Sequence, residues 1–304
     1  MRKKGGASTP KLLGWAAAAI ALGLGVGQLL GHLGCERKPS KPAPRPEPGA
    51  RSPEPKHPKP ETRKPELPAP EAGSRKPEAG HEPDERLPKF ALIIDDLGYM
   101  DPALVKRLCQ EPVPFSTAVL PYQEHTKESA EIVHAAGKEV MLHLPMEGRA
   151  DKDPGPDALK FDLPEGEIRA RTRKALADVP FIAGANNHMG SRMTADEARM
   201  HWILEEFRNR RLYFIDSRTT AATVGWKVAG ELGIPTVQRN VFLDDDKSFP
   251  EIEKQWKRAI DIAKKDGQVV VIGHIYPETV EALEKLIPET KGQVTFIKAS
   301  EVVR

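Results

Sequence analysis

The sequence predicts an α/β protein whose folded part, residues 89–304, is a (β/α) barrel of seven or eight parallel strands. Apolar strand-like runs alternate with amphipathic helical stretches throughout this region, and polar residues follow nearly every apolar run. Repeated strand–helix alternation indicates a parallel sheet, either closed into a barrel or left open and doubly wound. An open sheet concentrates its polar residues at one switch point, whereas a barrel collects them around one rim. The distribution of polar residues therefore favours the barrel.

The first strand is predicted from the stretch "KFALIIDDLGYM", residues 89–100. Its apolar run from Phe90 to Ile94 is typical of a parallel strand that is buried on both faces, and it ends in two acids, Asp95 and Asp96. The carboxyl ends of such strands are where parallel sheets carry their chemistry. The remaining strand candidates are "FSTAVLP", "EVMLHLPM", "IAGANNH", "LYFIDS", "TVQRNVFL", "QVVVIGHIY" and "VTFIKASEV".

Helices are predicted between these strands. Thr194 precedes Glu197, and Ser248 precedes Glu251, by the three-residue spacing of a capping box. The following apolar residues recur at helical spacing and indicate buried stripes: Met200, Ile203, Leu204 and Phe207 in one helix, and Ile252, Trp256 and Ile260 in another. We therefore expect Trp256 to pack in the core and not to form a platform for a sugar ring.

Residues 1–35 are predicted to be an N-terminal membrane anchor or signal segment. Residues 12–34 contain no Asp, Glu, Lys or Arg, and at about 1.5 Å per residue they are long enough to cross a hydrocarbon core of about 30 Å. The basic residues before them place the N-terminus in the cytoplasm. A cleaved signal peptide is less favoured, because the apolar run is long and no small-x-small site closes it. Lipidation at Cys35 is also less favoured, because His32 occupies a position where such signals have an aliphatic residue.

Residues 36–88 are predicted to be a disordered linker. They contain 15 of the 29 prolines of the chain, alternate basic with acidic residues and have almost no apolar side chains. Such a segment cannot bury enough surface to offset the entropy lost on ordering. It is expected to be a tether with a polyproline bias between the anchor and the domain.

Composition and motifs exclude several classes of function. The net charge is +2, and basic and acidic residues are interspersed without a basic patch, so nucleic acid is not expected to be a partner. The glycine-rich turns that bind nucleotide phosphates do not occur in the sequence. The two cysteines, Cys35 and Cys109, provide no disulfide framework.

Polar side chains at the strand ends are expected to meet at the carboxyl rim of the barrel. A carboxylate and two imidazoles that arrive from three different strands form the ligand set of a catalytic zinc, which keeps an open position for water. Any one of these residues taken alone is more often structural; Asp216, for example, could pair with an arginine and hold loops together. The candidates are Asp95, Asp96, His143, Glu147, Asn187, His188, Arg192, Asp216, Arg218, Asp244 to Asp246 and His274.

The motifs "IIDDLG", "LHLPME", "NNHMGS", "FIDSRT" and "GHIYPET" resemble those of the divergent polysaccharide deacetylases, a bacterial branch of the polysaccharide deacetylase superfamily. The resemblance covers about residues 89–304 and implies a distorted, deacetylase-like (β/α) barrel with a divalent-metal site. In the parent superfamily the first Asp of an Asp-Asp pair is the catalytic base, the second binds the metal with two histidines, and a late strand supplies a histidine as general acid. The resemblance thus implies that Asp95 is the base, Asp96 and His143 are metal ligands, and His274 is the acid.

One motif departs from the parent pattern. The parent has His-x-x-x-His, whereas this chain has "HLPME", with Glu147 in place of the second histidine. We expect His188 of "NNHMGS" to supply the missing imidazole, so that Asp96, His143 and His188 bind the metal, with zinc as the expected ion. A site that used Glu147 instead would be unusually anionic for a zinc hydrolase. Glu147 is therefore expected to contact the substrate or to support a ligand.

These assignments imply hydrolysis of N-acetyl groups on an envelope polysaccharide or peptidoglycan-like glycan, with the domain on the periplasmic or outer side of the inner membrane. Arg192, Asp216 and Arg218 are candidates to orient Asp95 and His274 or to bind sugar hydroxyls, with simple ion pairing as the alternative. Two other classes remain open. One is a non-catalytic envelope protein that retains the metal site or binds glycan, and the other is a phosphoesterase with a second metal bound by residues 244–246.

The anchor can be tested by cell fractionation. Because residues 12–34 carry no charge and follow a basic start, the full-length protein should sediment with membranes, and only protease added to the outer face should reach the domain. A variant that lacks residues 12–34 is the control and should be released from the membrane. Recovery of the full-length protein in the soluble cytoplasmic fraction would contradict the prediction.

Overall fold

A computed structural model describes residues 87–149 and 152–303 of the chain. The predicted anchor and nearly all of the predicted linker lie outside the described residues. Within the described ranges, the helices are too short or too polar to cross a lipid bilayer.

Strands and helices alternate along the described part of the chain, as predicted. The strands are β1 (Lys89–Leu97), β2 (Ser116–Val119), β3 (Glu139–Met146), β4 (Ile182–Met189), β5 (Tyr213–Asp216), β6 (Thr236–Gln238), β7 (Val241–Phe242), β8 (Gln268–His274) and β9 (Thr295–Ile297). The α-helices are α1 (Pro102–Leu108), α2 (Thr126–Ala135), α3 (Glu165–Asp178), α4 (Glu197–Asn209), α5 (Gly225–Glu231), α6 (Phe249–Asp266) and α7 (Pro277–Glu289). Two short 3₁₀ turns are formed by Met193–Ala195 and Ala299–Glu301.

The strands form one parallel sheet in the order β6-β5-β4-β3-β2-β1-β8-β7, with β9 paired to the start of β1. The two ends of this order, β6 and β7, are consecutive in the chain. The backbone N–H of Arg239 donates to Asp216 at the end of β5 (3.0 Å), and that of the next residue, Asn240, donates to Val270 in β8 (2.9 Å). One extended segment thus changes its neighbour from β5 to β8, which requires the sheet to curl back on itself. This arrangement fits the predicted (β/α) barrel.

Alternate side chains of the strands pack in two separate layers. Those that face the barrel interior form one buried cluster, which includes Ala91, Ile93, Met141, Val270 and Ile272. Their neighbours in β1, such as Phe90 and Leu92, pack outward in the larger cluster between the sheet and the helices. This double burial explains the continuous apolar run of β1. By the same alternation, Asp95, His143 and His274 are the next inward positions above the apolar interior.

The helix starts differ in part from the predicted capping boxes. Helix α4 is capped by Asp196, whose Oδ1 accepts the backbone N–H of Arg199 (2.9 Å). Thr194 instead lies buried in a 3₁₀ turn and donates its hydroxyl to Gly190 (2.9 Å). Ser248 precedes α6 as predicted, although its side chain makes no capping hydrogen bond. Trp256 is a core residue, as expected: it is 1% exposed, and its Nε1 donates to Thr290 (2.8 Å).

A buried carboxylate ties the chain terminus to the base of the barrel. Oε1 of Glu139, at the start of β3, accepts hydrogen bonds from the hydroxyls of Ser116 (2.7 Å) and Tyr213 (2.8 Å) and from the backbone N–H of Ser300 (3.1 Å). Burial, together with the charge of Glu139, raises the pKa of Tyr213 well above its ordinary value. The phenol is therefore a fixed donor, and it holds the Tyr213 ring in one position.

The close approach of the Tyr213 ring to Gly184 predicts a loss of stability when Gly184 is enlarged. A methyl group added at Gly184 in β4 would overlap three atoms of this ring, so Gly184→Ala should lower the free energy of unfolding by about 1–3 kcal/mol. The matched control is Gly230→Ala in α5, where the added methyl meets no atom within 4 Å and should be neutral or stabilise by up to about 1 kcal/mol. Chemical denaturation measures both variants. Equal stabilities would show that the ring moves aside at no cost.

Candidate metal centre

Two adjacent carboxylates at the end of β1 reach the same imidazole because the strand is irregular there. In a regular strand, neighbouring side chains point to opposite faces. The pairing of β1 with β2 shifts register between Ile94 and Leu97, and Asp96 has a left-handed backbone with φ 66°, a conformation that aspartate tolerates better than most residues. As a result, Asp95 Oδ2 and Asp96 Oδ1 lie 3.7 and 3.1 Å from His143 Nε2.

Asp96, His143 and His188 bring three potential ligand atoms together. Asp96 Oδ1 lies 3.1 Å from His143 Nε2 and 3.0 Å from His188 Nδ1, and the two nitrogens are 3.1 Å apart. Ligands arranged tetrahedrally at about 2.0–2.1 Å from a zinc ion are about 3.4 Å from one another. The three residues are therefore spaced so that they could hold a metal ion.

The environment of Asp96 Oδ1 also fits a cation. This atom is buried, yet it has no well-oriented hydrogen bond from any residue in the described ranges, although two imidazole nitrogens are close to it. Burial raises the pKa of Asp96, but His143 and His188 outweigh burial and hold it far below its ordinary value. Asp96 is thus an anion with an unsatisfied oxygen, which is the state that a metal ligand requires.

Asp95 differs from its neighbour. It is 2% exposed, and burial raises the pKa of its carboxyl above the ordinary value, against the lowering effects of His143, His274 and the hydrogen bond from Asn186. The two adjacent acids therefore have pKa values that are displaced in opposite directions. A pair of carboxyl groups with separated pKa values is typical of sites in which one acid carries charge and the other exchanges protons.

Asn186 connects Asp95 to His143, although the sequence motif had indicated only the next two residues, Asn187 and His188, as candidates. Its Nδ2 donates to Asp95 Oδ1 (2.8 Å), and its Oδ1 lies 2.6 Å from His143 Nδ1. The signal that could have identified Asn186 is strand alternation, because it stands two residues before His188 and hence on the same face of β4. Asn187 faces the other way and accepts the backbone N–H of Ser217 (2.9 Å).

His274, at the end of β8, stands beside Asp95 and is paired with Asp244. The two strands align Asp95 with His274, and His274 Nδ1 lies 2.8 Å from Asp244 Oδ1. Burial lowers the pKa of His274, but the hydrogen bond and charge of Asp244 outweigh burial and raise it to about 9. The ring is held between Phe242 (4.9 Å between centroids) and Tyr276 (5.4 Å). His274 is therefore protonated at neutral pH and fixed in orientation.

The position of Asp244 does not fit the alternative in which residues 244–246 bind a second metal. Asp244 is 2% exposed, and its Oδ2 accepts the backbone N–H of His274 (2.7 Å) and the hydroxyl of Thr279 (2.6 Å). Its two oxygens are committed to these donors and to the imidazole. Asp245 and Asp246 are exposed. Within the described ranges, one group of potential metal ligands is found, and it does not include these three acids.

Glu147 and Arg192 pair with each other, apart from the three potential ligands. Glu147 Oε2 accepts the backbone N–H of Phe161 (2.7 Å), and its Oε1 forms an ion pair with Arg192. The guanidinium of Arg192 also lies over the Phe161 ring, 4.2 Å from its centroid. These contacts connect the loops that follow β3 and β4. Arg192 thus matches the ion-pair alternative, and among the described residues it makes no hydrogen bond to Asp95 or His274.

Asp216 organises a loop and does not orient Asp95 or His274. Its Oδ2 accepts the hydroxyl of Thr223 (2.7 Å) and the backbone N–H of Trp226 (3.1 Å), and its Oδ1 accepts the backbone N–H of Arg218 (2.9 Å). This fully buried carboxylate therefore determines the path from β5 to α5. Arg218 is exposed on the same loop, with φ 54°. Among the described residues, neither side chain of this pair hydrogen-bonds to Asp95 or His274, and a contact of the pair with sugar hydroxyls stays a prediction.

Comparison with known proteins agrees with this architecture. The sequence profile of a family described as divergent polysaccharide deacetylase matches residues 92–303. The chain is 35% identical over 215 residues to the uncharacterized protein YibQ of Escherichia coli K12, covering 71% of this chain and 67% of YibQ. It is 31% identical over 198 residues to an uncharacterized protein of Haemophilus influenzae, covering 64% and 70%. The crystal structure of the uncharacterized protein ATU2773 from Agrobacterium tumefaciens C58 has a similar fold, with a TM-score of 0.67, 22% identity, and coverage of 75% and 92%.

Metal analysis of variants tests which residues form the centre. His188→Ala and His143→Ala should each abolish retention of a divalent ion, because each removes one of three potential ligands. Glu147→Gln should retain the ion, with an affinity reduced by at most about 10- to 100-fold, because Glu147 contacts Phe161 and Arg192 instead. The measurement is the metal content per chain after dialysis. Loss of metal in Glu147→Gln and retention in His188→Ala would instead identify an aspartate–histidine–glutamate site.

Proposed function

Because this chain belongs to the divergent polysaccharide deacetylase family, we propose that it is a metal-dependent hydrolase that removes N-acetyl groups from an envelope polysaccharide or peptidoglycan-like glycan. One observation carries the proposal. The three residues that could hold a metal lie beside the buried Asp95 carboxyl, whose pKa is raised, and the His274 imidazole, which is protonated at neutral pH. Amide hydrolysis needs these three components, namely an electrophile, a base and an acid.

The proposed metal ligands are Asp96 Oδ1, His143 Nε2 and His188 Nδ1. Two imidazoles with one carboxylate suit zinc or a similar divalent ion, and three protein ligands leave a position open for substrate or water. When bound, such an ion polarises an amide carbonyl and makes a water molecule more acidic. Glu147 is absent from this set, since Phe161 and Arg192 occupy its oxygens.

Asp95 is the proposed general base. Its Oδ2 faces the three ligands at 3.7 Å from His143 Nε2, while its Oδ1 is held by Asn186. The carboxylate would take a proton from the attacking water, and the raised pKa that burial causes makes it a better acceptor than an exposed aspartate. The anionic neighbour Asp96 is unsuited to this step because its pKa lies far below the ordinary value.

His274 is the proposed general acid. Its Nδ1 faces Asp244 at 2.8 Å, which leaves the proton on Nε2 for the leaving amine. Its pKa of about 9 keeps it protonated at neutral pH, and proton donation of this kind contributes about 10²- to 10⁴-fold in rate. Because β1 and β8 align Asp95 with His274, the base and the acid flank one substrate position.

The envelope location is part of the proposal. Residues 12–34 would anchor the chain in the inner membrane, residues 36–88 would tether the domain, and the domain would face the periplasm or the exterior. An envelope glycan is then the substrate within reach. The uncharged N-terminal run and the proline-rich segment that follows it support this arrangement.

Acetate release from N-acetylated glycans tests the activity. The metal-loaded protein should release acetate, and Asp95→Asn should retain the metal but lose at least about 100-fold in turnover, because it lacks the base and keeps every proposed ligand. Asp266→Asn, an exposed acid just before β8 at the opposite end of the barrel, is the charge-matched control and should match the wild type.

Two outcomes would contradict the proposal. If the metal-loaded wild type binds glycan but releases no acetate from any N-acetylated glycan, the protein is a non-catalytic envelope protein. If metal analysis finds two ions per chain and the protein cleaves phosphate esters, it is a phosphoesterase.

A further inference from the structure

Among the described residues that are not themselves proposed metal ligands, Asn186 is the one whose side chain hydrogen-bonds both to a proposed ligand and to the proposed base. It is fully buried, and each end of its amide has one partner: Nδ2 donates to Asp95 Oδ1 at 2.8 Å, and Oδ1 lies 2.6 Å from His143 Nδ1. A buried amide with both ends in short hydrogen bonds has a single favourable orientation. The orientation of this amide therefore links the hydrogen-bonding state of one partner to that of the other.

The carboxylate of Asp95 determines which way the amide points. An ionised carboxylate only accepts hydrogen bonds, so it selects the NH₂ end of Asn186 and repels the carbonyl end. The carbonyl oxygen is then directed at His143 and can only accept. His143 Nδ1 must therefore carry a hydrogen, and Nε2 is left with its lone pair. That nitrogen is the one that lies 3.1 Å from both Asp96 Oδ1 and His188 Nδ1.

We propose that Asn186 is a positioning residue that couples the base to the metal centre, because it sets the tautomer of His143 for metal binding and holds Asp95 with its free oxygen towards the same centre. This inference rests on the proposed function for the identity of the base, whereas the part that concerns the metal stands on the contacts of His143 alone. Partners behind ligating histidines typically contribute about 10- to 100-fold in metal affinity. In this chain the partner is an amide, which allows it to bind a second group at its other end.

Substitutions of Asn186 separate its two contacts. Asn186→Ala removes both hydrogen bonds and should lower the affinity for zinc by about 10- to 100-fold. Asn186→Asp keeps an acceptor for His143 Nδ1 but replaces the donor to Asp95 with a second carboxylate. Its zinc affinity should therefore stay within a few-fold of the wild type, whereas its acetate release should fall as far as that of Asn186→Ala.

The neighbouring Asn187 provides a matched control. Asn187 is 1% exposed in the same strand, and its side chain also makes two hydrogen bonds, to Met189 (2.8 Å) and from Ser217 (2.9 Å). Asn187→Ala therefore removes the same number of buried contacts without touching Asp95 or His143. It should keep the zinc affinity of the wild type even if it is less stable. Thermal unfolding of the metal-free proteins shows whether each variant is folded.

The affinity for zinc alone, measured by competition with a chelator on the purified full-length chain, decides the inference. A split in which Asn186→Ala binds weakly while Asn186→Asp and Asn187→Ala bind normally supports it, even if the wild type releases no acetate. If Asn186→Ala binds zinc as tightly as the wild type, the inference is overturned while the proposed function stands. Equal weakening by Asn186→Ala and Asn187→Ala would show a merely structural role. A wild type that binds no divalent ion overturns both proposals.

Discussion

Two adjacent carboxylates, Asp95 and Asp96, are buried at the end of β1. The need to compensate their negative charge organises the side chains around them. An unpaired buried charge costs several kcal/mol, so donors or cations must surround both groups. His143, His188 and Asn186 supply imidazole and amide partners from two neighbouring strands. One oxygen, Oδ1 of Asp96, still has no well-oriented hydrogen bond from the described residues. A cation fits beside this oxygen, because the buried charge is not compensated there.

The barrel makes this compensation possible because it brings strands that are distant in the chain to one rim. Asn186 and Asp95 are 91 positions apart, and His274 and Asp244 are 30 positions apart. Closure depends on the extended segment of β6 and β7, which hydrogen-bonds first to β5 and then to β8. The same curl fills the interior with apolar side chains, and this filling leaves only the rim for polar ones.

The left-handed backbone at Asp96 gives the two acids separate environments. Without the register shift in β1, Asp96 would point towards the helices and Asp95 alone would face the interior. With it, Asp96 joins two imidazoles, while Asp95 is held by an amide beside a cationic histidine. A left-handed backbone at a residue other than glycine persists only where the surrounding contacts hold it in place, and such residues are concentrated at functional sites.

The strand–helix alternation, the apolar strands and the chemical types at the strand ends are determined by the sequence alone, because periodicity and burial are local properties of the chain. Those patterns sufficed to predict the barrel and a carboxylate–imidazole centre at its rim. The resemblance to the divergent polysaccharide deacetylases, with His188 in place of the missing histidine, narrowed that centre to Asp96, His143 and His188. Which partner each remaining polar group received was decided only by the tertiary structure. Asn186, Asp244 and Glu147 obtained their contacts from residues that are distant in the chain or across a loop, and Asp216 turned away towards α5. A hydrogen bond between strands depends on tenths of an ångström in the distance from donor to acceptor. The spacing of residues along one strand does not determine that distance.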